Sequence, residues 1–541
     1  MEPSVHLSES LARCHQGIHS EFLRSCLRFP DRVCLEVLDR KLTYAEVCEQ
    51  AASIAANLSP HAVASGPALC SLLASRTVTA FTGVLGILLA GQGVVPLNPA
   101  YPSERTRAML QRSGATTLVV DSSAAFRLPD LLSGDAPSLL VVLPDADEVS
   151  PLRSAFPAHR FFGRSDLTAS ADWHPVASCP DQIAYLLFTS GSTGLPKGVG
   201  LLHGNLTHYL RRGLGLGAFS EHDRFCQFFD FTWDSHLFAL WACWATGACA
   251  CVPQPKDLLN PDAFLRHKGI TVLELVPSTG HAMSRLGAMT PGRFPKLRHL
   301  RLGGEAVPVE QAIAWSTAAP SALVTNTYGP TECTVEVTSY EWNSAVSPAE
   351  SENGIVPIGF PYREAELLVV DDALAEVAPG ASGELLISGP QMAPGYWNDP
   401  EKTALAFIVP PGKSGRFYRT GDVVRRPAPG KPFCFLGRRD HQIKIFGARI
   451  ELGEIEALLR ELADTSLAVA VGWPLVPTGA AGIVAFLDQP NADVKGLLQK
   501  LKSRLPNVMV PREIRLLERF PFNVNGKIDR RALLDLLERK A

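Results

Sequence analysis

The chain has 541 residues, more than one hydrophobic core normally holds, so at least two domains are expected. Its 51 basic and 54 acidic residues are interspersed, giving a formal net charge of -3, and this balance does not favour nucleic acid as a partner. The start, MEPSVHLSES, lacks the apolar core of a secretory signal. Polar residues, glycine and proline interrupt the longest apolar runs, so buried core segments are predicted and membrane spans are not. Twelve cysteines without a CxxC pair favour reduced thiols in a cytoplasmic protein.

The first part of the chain alternates helical patterns with short runs of β-branched residues. Helices are predicted over residues 102–113 and 309–316, and strands over residues 117–121, 269–276 and 321–326. This alternation is typical of βαβ units, in which helices cover the faces of parallel sheets. The sequence therefore predicts an α/β protein.

The pattern changes towards the carboxyl end. Residues 383–388 and 433–436 are predicted strands of a smaller β-rich region. Beyond Asp440 the predicted elements are helices over residues 453–462 and 494–505 and strands over residues 468–473 and 482–487. These elements predict a separate α+β lobe, and we expect the chain to divide into residues 1–439 and 440–541, joined by a short hinge.

A glycine-rich segment, TSGSTGLPKG, follows the apolar run 183–188. It contains Thr189, Ser190, Gly191, Ser192, Thr193, Gly194 and Lys197. Glycine lets backbone N–H groups approach phosphate oxygens, hydroxyl groups add donors, and lysine adds positive charge. The spacing differs from that of the GxxxxGK[ST] loop. A phosphate-binding loop is predicted, and a plain turn after a strand is the alternative.

Several further segments stand in a fixed order along nearly the whole chain. They are LTYAEV from Leu42, LAGQGVVPLNPAYP from Leu89, NTYGPTE from Asn326, GELLISGPQMAPGYW from Gly383, YRTGD from Tyr418, GRRDHQIKIFGARIELGEIE from Gly437, LPNVMVP from Leu505 and NGKIDR from Asn525. With the glycine-rich loop, this series resembles the ANL superfamily of adenylate-forming enzymes, and more closely the amino-acid adenylation domains of nonribosomal peptide synthetases. The resemblance implies a large N-terminal body of two αβ subdomains plus a small β-rich subdomain, followed by a small mobile α+β C-terminal lobe.

The resemblance also implies a site for ATP and Mg²⁺. Tyr328 would stack on adenine with Asn326 near its edge, and Glu332 would hold Mg²⁺, which prefers hard carboxylate oxygens. Asp422 would accept hydrogen bonds from the ribose hydroxyls, with Arg438 beside it. The other residues implied to contact the nucleotide are Gly304, Glu305, Thr327, Gly329 and Thr331.

Three residues are implied to act in catalysis. Lys527 would reach the substrate carboxylate during attack on the α-phosphate, where positive charge placed in advance stabilises the developing charge. Asp440 would be the hinge of the C-terminal lobe, and Lys444, with Gly447, would enter the site when a phosphopantetheine thiol attacks the adenylate. The sequence ends soon after NGKIDR, so a free-standing enzyme that uses a carrier protein in trans is expected; a fragment of a larger synthetase is the alternative.

The resemblance further places Asp234 where an aspartate pairs with the α-ammonium of an amino acid. The other implied pocket positions are Ser235, Phe238, Glu274, Arg301, Gly303, Thr327, Val335 and Glu336. Two carboxylates against one guanidinium leave surplus negative charge, which favours a polar amino acid, including one with a cationic side chain, as substrate. An acidic side chain held by Arg301, or a small neutral substrate beside a self-neutralised ion pair, are the alternatives.

Two other functions share these motifs. An acyl-CoA or aryl-acid ligase would keep the ATP motifs without needing Asp234. A homologue that binds nucleotide without turnover is the second alternative, and the joint presence of Lys197, Glu332, Asp422 and Lys527 argues against it.

Overall fold

The structure is a computed structural model that describes residues 16–61, 68–133, 137–191, 196–465, 467–489, 491–522 and 528–539. Four predicted site residues, Ser192, Thr193, Gly194 and Lys527, lie outside the described residues. Within the described ranges, no helix combines the length and apolar character needed to cross a membrane.

Helices are distributed along the whole described chain. In chain order they are α1 (Ser20–Arg28), α2 (Tyr44–Leu58), α3 (Val78–Leu89), α4 (Ser103–Ser113), α5 (Leu128–Leu132), α6 (Ser150–Ala155), α7 (His203–Gly215), α8 (His236–Thr246), α9 (Pro255–Leu259), α10 (Asp262–Lys268), α11 (Pro277–Arg285), α12 (Val309–Ala318), α13 (Ser347–Glu350), α14 (Pro400–Ala406), α15 (Leu452–Ala463), α16 (Val494–Arg504) and α17 (Arg530–Glu538).

Strands alternate with these helices. In chain order they are β1 (Val33–Val37), β2 (Arg40–Thr43), β3 (Leu69–Leu73), β4 (Gly93–Leu97), β5 (Thr117–Val120), β6 (Leu140–Val142), β7 (Arg160–Phe162), β8 (Ile183–Thr189), β9 (Lys197–Leu202), β10 (Arg224–Cys226), β11 (Cys249–Val252), β12 (Val272–Leu275), β13 (His299–Gly303), β14 (Leu323–Tyr328), β15 (Thr338–Glu341), β16 (Phe360–Pro361), β17 (Glu366–Val370), β18 (Ser382–Ser388), β19 (Phe407–Ile408), β20 (Phe417–Arg425), β21 (Cys434–Arg438), β22 (Ile443–Ile445), β23 (Ala448–Ile450), β24 (Ala468–Gly472), β25 (Leu475–Val476), β26 (Gly479–Ala480), β27 (Ile483–Leu487) and β28 (Glu513–Leu516).

One large sheet supplies the strands that lead into the site. Its order is β16-β15-β14-β13-β12-β10-β11-β1-β2. The inner pairs from β14 to β1 are parallel, and the outer pairs β15 with β14, β16 with β15 and β1 with β2 are antiparallel. The parallel strands β12, β13 and β14 therefore end at one edge, where ligands bind in sheets of this kind.

A second sheet positions the glycine-rich loop. Its order is β7-β6-β5-β3-β4-β8-β9, with the hairpin pair β8 and β9 antiparallel. Of the loop, the described residues Ser190 and Gly191 follow β8, and Lys197 begins β9. The longest apolar runs of the sequence were predicted to be buried. The run over residues 81–97 lies in α3 and β4, and the run over residues 237–253 lies in α8 and β11. Both helices pack in the same hydrophobic cluster. The α/β architecture is thus confirmed.

A smaller antiparallel sheet follows, in the order β17-β18-β20-β19, with β21 also paired to β20. The register of the last pair sets Asp422 directly opposite Arg438. This small β-rich subdomain therefore brings together two residues predicted to lie near the ribose.

The C-terminal segment has its own core. The sheet β24-β27-β28 packs with α15 and α16 around buried residues such as Ile455, Leu459 and Leu501. Its first element is the hairpin β22–β23, whose turn residues Phe446 and Gly447 have φ angles of 49° and 78°. Positive φ at both turn positions is typical of the tightest hairpins, and it favours glycine.

Some predicted boundaries differ from those of the structure. The strand expected over residues 269–276 is confined to β12, because Gly269 ends α10 in the left-handed conformation, with φ 60°. Glycine often ends helices in this way, since it has no Cβ to clash. The helix predicted from Val309 is α12, and it continues to Ala318.

Candidate active site

A cleft opens where the large sheet, the β-rich subdomain and the C-terminal segment meet. Predicted site residues in its lining are Thr189, Ser190, Asp234, Ser235, Glu274, Gly303, Gly304, Thr327, Tyr328, Gly329, Thr331, Val335, Glu336, Asp422, Arg438 and Lys444. Predicted residues that the structure describes outside this lining are Gly191, Lys197, Phe238, Arg301, Glu305, Asn326, Glu332 and Asp440. The cleft thus joins residues predicted for the nucleotide to residues predicted for the amino acid.

The predicted nucleoside half centres on one carboxylate. Tyr328 donates its hydroxyl hydrogen to Oδ2 of Asp422 at 2.5 Å, and Arg438 donates to Oδ1. Burial and the nearby Asp422 raise the pKa of Tyr328 well above its usual value, so its hydroxyl stays protonated and remains a donor. Each carboxylate oxygen has a further lone pair, so the group can still accept hydrogen bonds from a diol.

Of the residues predicted to lie near the adenine, some line the cleft and others do not. Asn326 is buried and its side-chain amide donates to the backbone oxygen of Pro357 at 2.8 Å, which turns that amide away from the cleft lining. Gly304 lies in the lining with φ 78°, a conformation that favours glycine. Glu305 accepts from the backbone N–H of Ser278 at 2.8 Å and of Gly447 at 2.6 Å.

The predicted metal ligand, Glu332, is completely buried. Tyr396 donates to its Oε1 at 2.8 Å, and Arg449 donates to its Oε2, also at 2.8 Å. Although burial alone would raise the pKa of Glu332, the positive charges of Arg449 and Lys197 hold it well below its usual range. A hard, ionised carboxylate fits Mg²⁺, with water and phosphate oxygens as the remaining ligands. A metal ion could use Oε2 only after Arg449 withdraws.

The described part of the glycine-rich loop is in contact with the C-terminal segment. Ser190 donates its hydroxyl hydrogen to the backbone oxygen of Arg449 at 2.7 Å, and the backbone N–H of Gly191 donates to Oε2 of Glu454 at 3.2 Å. After the loop, Lys197 holds its ammonium 3.5 Å from Glu332. Burial lowers the pKa of Lys197 from its usual value.

Asp234 stands at the other end of the cleft, just before α8. Its Oδ2 accepts the hydroxyl hydrogen of Thr331 at 2.6 Å, and burial raises the pKa of Asp234. Close by, β13 ends at Gly303, where a Cβ would lie only 2.6 Å from Oγ1 of Thr327. The backbone therefore approaches that wall too closely for any side chain.

A charged layer forms the floor behind Asp234. Arg301 and Glu336 pair through an Arg301 N–H donated to Oε1 of Glu336, and both side chains are almost fully buried. Tyr362 donates to the same oxygen at 2.6 Å, and the Arg301 guanidinium lies 3.8 Å from the ring centroid of Phe238. The guanidinium is thereby held by protein groups.

Glu274 remains outside that pair. It lies opposite Arg301 in the β12–β13 register and lines the cleft, and its Oε2 makes no hydrogen bond to any part of the chain that the structure describes. Burial raises the pKa of Glu274 to about 8; Arg301 lowers it, whereas Glu336 raises it further. The pocket floor therefore carries an acid with an oxygen available to a ligand.

The predicted hinge and the hairpin behind it connect to this cleft. The Asp440 carboxylate accepts two hydrogen bonds from Arg438, both 2.7 Å long. Lys444 lines the cleft, and burial lowers its pKa. At Gly447 a Cβ would lie 2.5 Å from Cγ1 of Val276, so the hairpin tip fits tightly against the body.

Sequence reasoning missed several residues of the site. Arg449 and Glu454 lie within the segment GRRDHQIKIFGARIELGEIE that carried the resemblance, so their motif was recognised but their partners were not. Tyr396 lies in the segment GELLISGPQMAPGYW, and its partner was likewise not predicted, whereas Tyr362 lies outside the segments that carried the resemblance. Each of the two acts through a carboxylate from another part of the chain.

Comparisons with known proteins agree with this arrangement. The family of AMP-binding enzymes matches residues 22–397. Phosphinothricin tripeptide synthetase PhsC from Streptomyces viridochromogenes is 35% identical over 536 residues, which cover 97% of this chain but 46% of the relative, so the chain spans less than half of that protein.

Solved structures are similar over nearly the full chain. The Vibrio cholerae adenylation domain AlmE, in complex with glycyl-adenosine-5'-phosphate, has a TM-score of 0.86 and 30% identity, covering 96% of this chain and 98% of that one. NpsA-ThdA from Klebsiella oxytoca, an artificially fused adenylation-PCP di-domain, has a TM-score of 0.75 and 25% identity, covering 92% and 93%. The chain belongs to the family of AMP-binding enzymes and, within it, to the adenylate-forming adenylation domains of the nonribosomal peptide synthetase type.

Proposed function

We propose that the protein activates an amino acid with ATP as an aminoacyl-adenylate and transfers the acyl group to the phosphopantetheine thiol of a separate carrier protein. The observation that carries the proposal is Asp234, a half-buried carboxylate in the cleft lining that accepts a hydrogen bond from the hydroxyl group of Thr331. The relative solved with glycyl-adenosine-5'-phosphate and the relative fused to a PCP support the two halves of the reaction.

The α-ammonium of an amino acid would complete the environment of Asp234. Desolvation disfavours the ionised form and raises the pKa of Asp234, and the charge of Lys444 offsets part of that effect. An ammonium beside Asp234 restores the charge balance and adds a charge-assisted hydrogen bond. Aryl and fatty acids have no ammonium to offer, so Asp234 favours an amino acid over the substrates of those ligases.

In the first half-reaction, an oxygen of the amino-acid carboxylate attacks the α-phosphorus of ATP. The new oxygen–phosphorus bond forms as the bond to the β-phosphate bridging oxygen breaks, and pyrophosphate leaves with the electron pair. Tyr328, Asp422 and Arg438 would orient the nucleoside, and Lys527 would stabilise the negative charge that develops. Glu332 would hold Mg²⁺, which neutralises phosphate charge when bound.

In the second half-reaction, the carrier thiolate attacks the carbonyl carbon of the mixed anhydride. A carbon–sulfur bond forms, the bond to the phosphate oxygen breaks, and AMP leaves. The position of Lys444 in the cleft lining and the hydrogen bond from the Gly447 N–H to Glu305 support the assignment of these residues to this step. Burial lowers the pKa of Lys444, and in a poorly solvated position its charge would act more strongly on a nearby anion than it would in water.

The substrate side chain is proposed to be a hydrogen-bond donor, with a cation as the best fit. Arg301 is paired with Glu336 and stacked on Phe238, and although its Nε makes no hydrogen bond within the described residues, Arg301 does not line the cleft, so it offers little to an acidic side chain. Glu274 instead lines the cleft with an unpartnered oxygen. A small neutral side chain would leave that oxygen unsatisfied, whereas an amine or guanidine would bind it.

Amino-acid-dependent pyrophosphate exchange tests the proposal. The wild type and Asp234→Asn are assayed with the common amino acids, basic non-standard amino acids, aryl acids and fatty acids. We expect exchange with a basic amino acid and a loss of at least about a hundredfold in kcat/KM for Asp234→Asn, because a buried charge partner is removed. Exchange driven by aryl or fatty acids alone would contradict the proposal.

Transfer to the carrier is tested separately by mass spectrometry of holo-carrier proteins incubated with the enzyme, ATP and the best amino acid. The expected product is a thioester that hydroxylamine releases. Adenylation without loading of any carrier or of free pantetheine would refute the second half of the proposal.

A further inference from the structure

A second cavity lies behind the amino-acid end of the cleft. It is a surface groove between the last turn of α7 and the outer strands of the large sheet, and its lining includes Thr325, Ser339, Phe360 and Tyr362. None of these four residues lines the cleft. Where two cavities approach each other inside a protein, the side chains between them decide how far each one extends.

Strand register shows how near the two cavities are. Glu274, Arg301 and Thr325 occupy matched positions on the adjacent strands β12, β13 and β14, so their side chains lie on the same face of the sheet. Glu274 lines the cleft, Thr325 lines the groove, and Arg301 stands between them. Adjacent strands lie about 4.8 Å apart, so the two lining residues are roughly 10 Å from each other. A single layer of side chains therefore separates the cavities.

The pairing of β14 with β15 leads to the same result. Thr327 lines the cleft, and Ser339, its direct partner across the two strands, lines the groove. Thr325 precedes Thr327 by two residues on the same face of β14, and it lines the groove as well. The boundary between the cavities thus crosses β14 within two residues.

Tyr362 spans this boundary with one side chain. It lines the groove, and its hydroxyl group donates at 2.6 Å to Oε1 of Glu336, which lines the cleft. Its backbone N–H donates to the backbone oxygen of Val337 at 2.8 Å, so main-chain and side-chain bonds together hold the ring in place. Burial and the charge of Glu336 raise the pKa of Tyr362 well above its usual value, and the hydroxyl group therefore remains a donor. The phenol ring forms part of the wall between the cavities.

We infer that Tyr362 closes the end of the amino-acid pocket behind Glu336 and is a specificity-determining residue that limits the length of the substrate side chain. The inference rests on the proposed function, because it takes the cleft between Asp234 and Glu274 as the site of the amino acid. A side chain that ends at Glu274 fits in front of the wall. A longer one would have to displace the ring of Tyr362 and leave Glu336 without that donor. Removal of the ring would join the pocket to the groove and open a path to solvent.

Pyrophosphate exchange with substrates of graded length tests the inference. The series is the best basic amino acid and its derivatives with methyl, propyl and hexyl groups on the side-chain nitrogen, which lengthen the side chain and keep its positive charge. If the best amino acid has no side-chain amine, its straight-chain homologues form the series. We expect kcat/KM of the wild type to fall by at least about tenfold from the parent to the hexyl derivative, because forcing extra methylene groups into a filled site is unfavourable.

Variants at the wall should change the order of these substrates. In Tyr362→Ala, each further methylene group that the joined cavities bury should raise kcat/KM by about fourfold, so the hexyl derivative should become a better substrate than the methyl derivative. Tyr362→Phe keeps the ring and loses only the hydroxyl group, so it should still reject long side chains. The matched control is Phe360→Ala, which removes an exposed ring from the lining of the same groove and should leave the wild-type order unchanged.

The outcomes separate the inference from the proposed function. A variant that is only destabilised loses activity with every substrate and gains no preference for long ones. If the wild type uses the parent and the hexyl derivative equally well, or if folded Tyr362→Ala keeps the wild-type order, the inference is refuted and the proposed function stands. If no amino acid drives exchange in the wild type, both fail.

A smaller truncation decides the question if Tyr362→Ala does not fold. Tyr362→Leu retains a buried apolar side chain and shortens the wall. It should accept the propyl derivative better than the wild type does, relative to the parent substrate. An unchanged ratio of the two kcat/KM values in Tyr362→Leu would overturn the inference.

Discussion

Replacing Glu274 by glutamine tests the substrate assignment, because the change keeps the shape of the side chain and removes its ability to carry charge. In the wild type, Glu274 offers an unpartnered oxygen to the cleft. A cationic side chain bound there would lose a charge-assisted hydrogen bond worth about 1.5–3 kcal/mol. That loss corresponds to a rise in KM of roughly 10- to 150-fold for a basic amino acid.

The pH profile gives the same prediction a second readout. Burial raises the pKa of Glu274 to about 8, so the free enzyme holds this acid mostly protonated at pH 7. A cation prefers the ionised form, so wild-type KM for a basic substrate should fall as pH rises from about 6 to 8, by up to tenfold per unit. The glutamine variant has no such titration and should lose this pH dependence.

The assay is pyrophosphate exchange at a saturating ATP concentration, with KM measured at several pH values for the wild type and Glu274→Gln. Isosteric neutral analogues of the best substrate provide the control, and their KM should change little. An unchanged KM for the basic substrate, or an equal loss for neutral and basic substrates, would refute the role of Glu274 in recognition.

Three further predictions concern stability and the two lysines. Because the pKa of Glu274 is raised in the folded state, the folded protein binds more protons than the unfolded chain between about pH 4.5 and 8, and this group makes stability fall as pH rises through that range. Glu274→Gln should therefore have a higher Tm than the wild type at pH 8. A lower Tm of the variant at that pH would contradict the prediction. Gly303→Ala should lower the free energy of unfolding by about 1–3 kcal/mol, since its Cβ would lie 2.6 Å from Thr327, and denaturant titration at matched m-values checks this. Lys527→Ala should abolish exchange while sparing thioester formation from a supplied aminoacyl-adenylate, and Lys444→Ala should show the reverse; loss of the same half-reaction in both would overturn the assigned roles.

Local features of the fold could be predicted from the sequence. The glycine-rich segment TSGSTGLPKG and the alternation of apolar runs can both be recognised from residues that are close together in the chain. Over such short distances the spacing alone sets which side chains share a face. The capping box of α2, in which Thr43 and Glu46 bond each other's backbone N–H groups, is equally local and explains part of the segment LTYAEV. The start of the strand predicted over residues 269–276 was placed too early because glycine is compatible with both a strand edge and a helix end, and only the packing of α10 selects the second.

The sequence predicted which residues form the pocket, but it did not predict which of their charged side chains pair with one another. Composition at the predicted positions gave two carboxylates and one guanidinium, and either carboxylate could have neutralised Arg301. The structure pairs Arg301 with Glu336, which lies 35 residues away in sequence, and leaves Glu274, its direct neighbour across β12 and β13, with a free oxygen. Strand register alone would have suggested the opposite pairing.

Motif identity, fold class and the chemical types available at the site therefore follow from the sequence, because they depend on residue type and short spacing. Which charge meets which is a property of the tertiary structure. Arg449 reaches Glu332 across 117 residues only because the hairpin docks into the cleft, and Tyr362 reaches Glu336 only because β15 and β16 turn back along the large sheet. Such contacts depend on the summed packing of whole elements, and no local pattern encodes them.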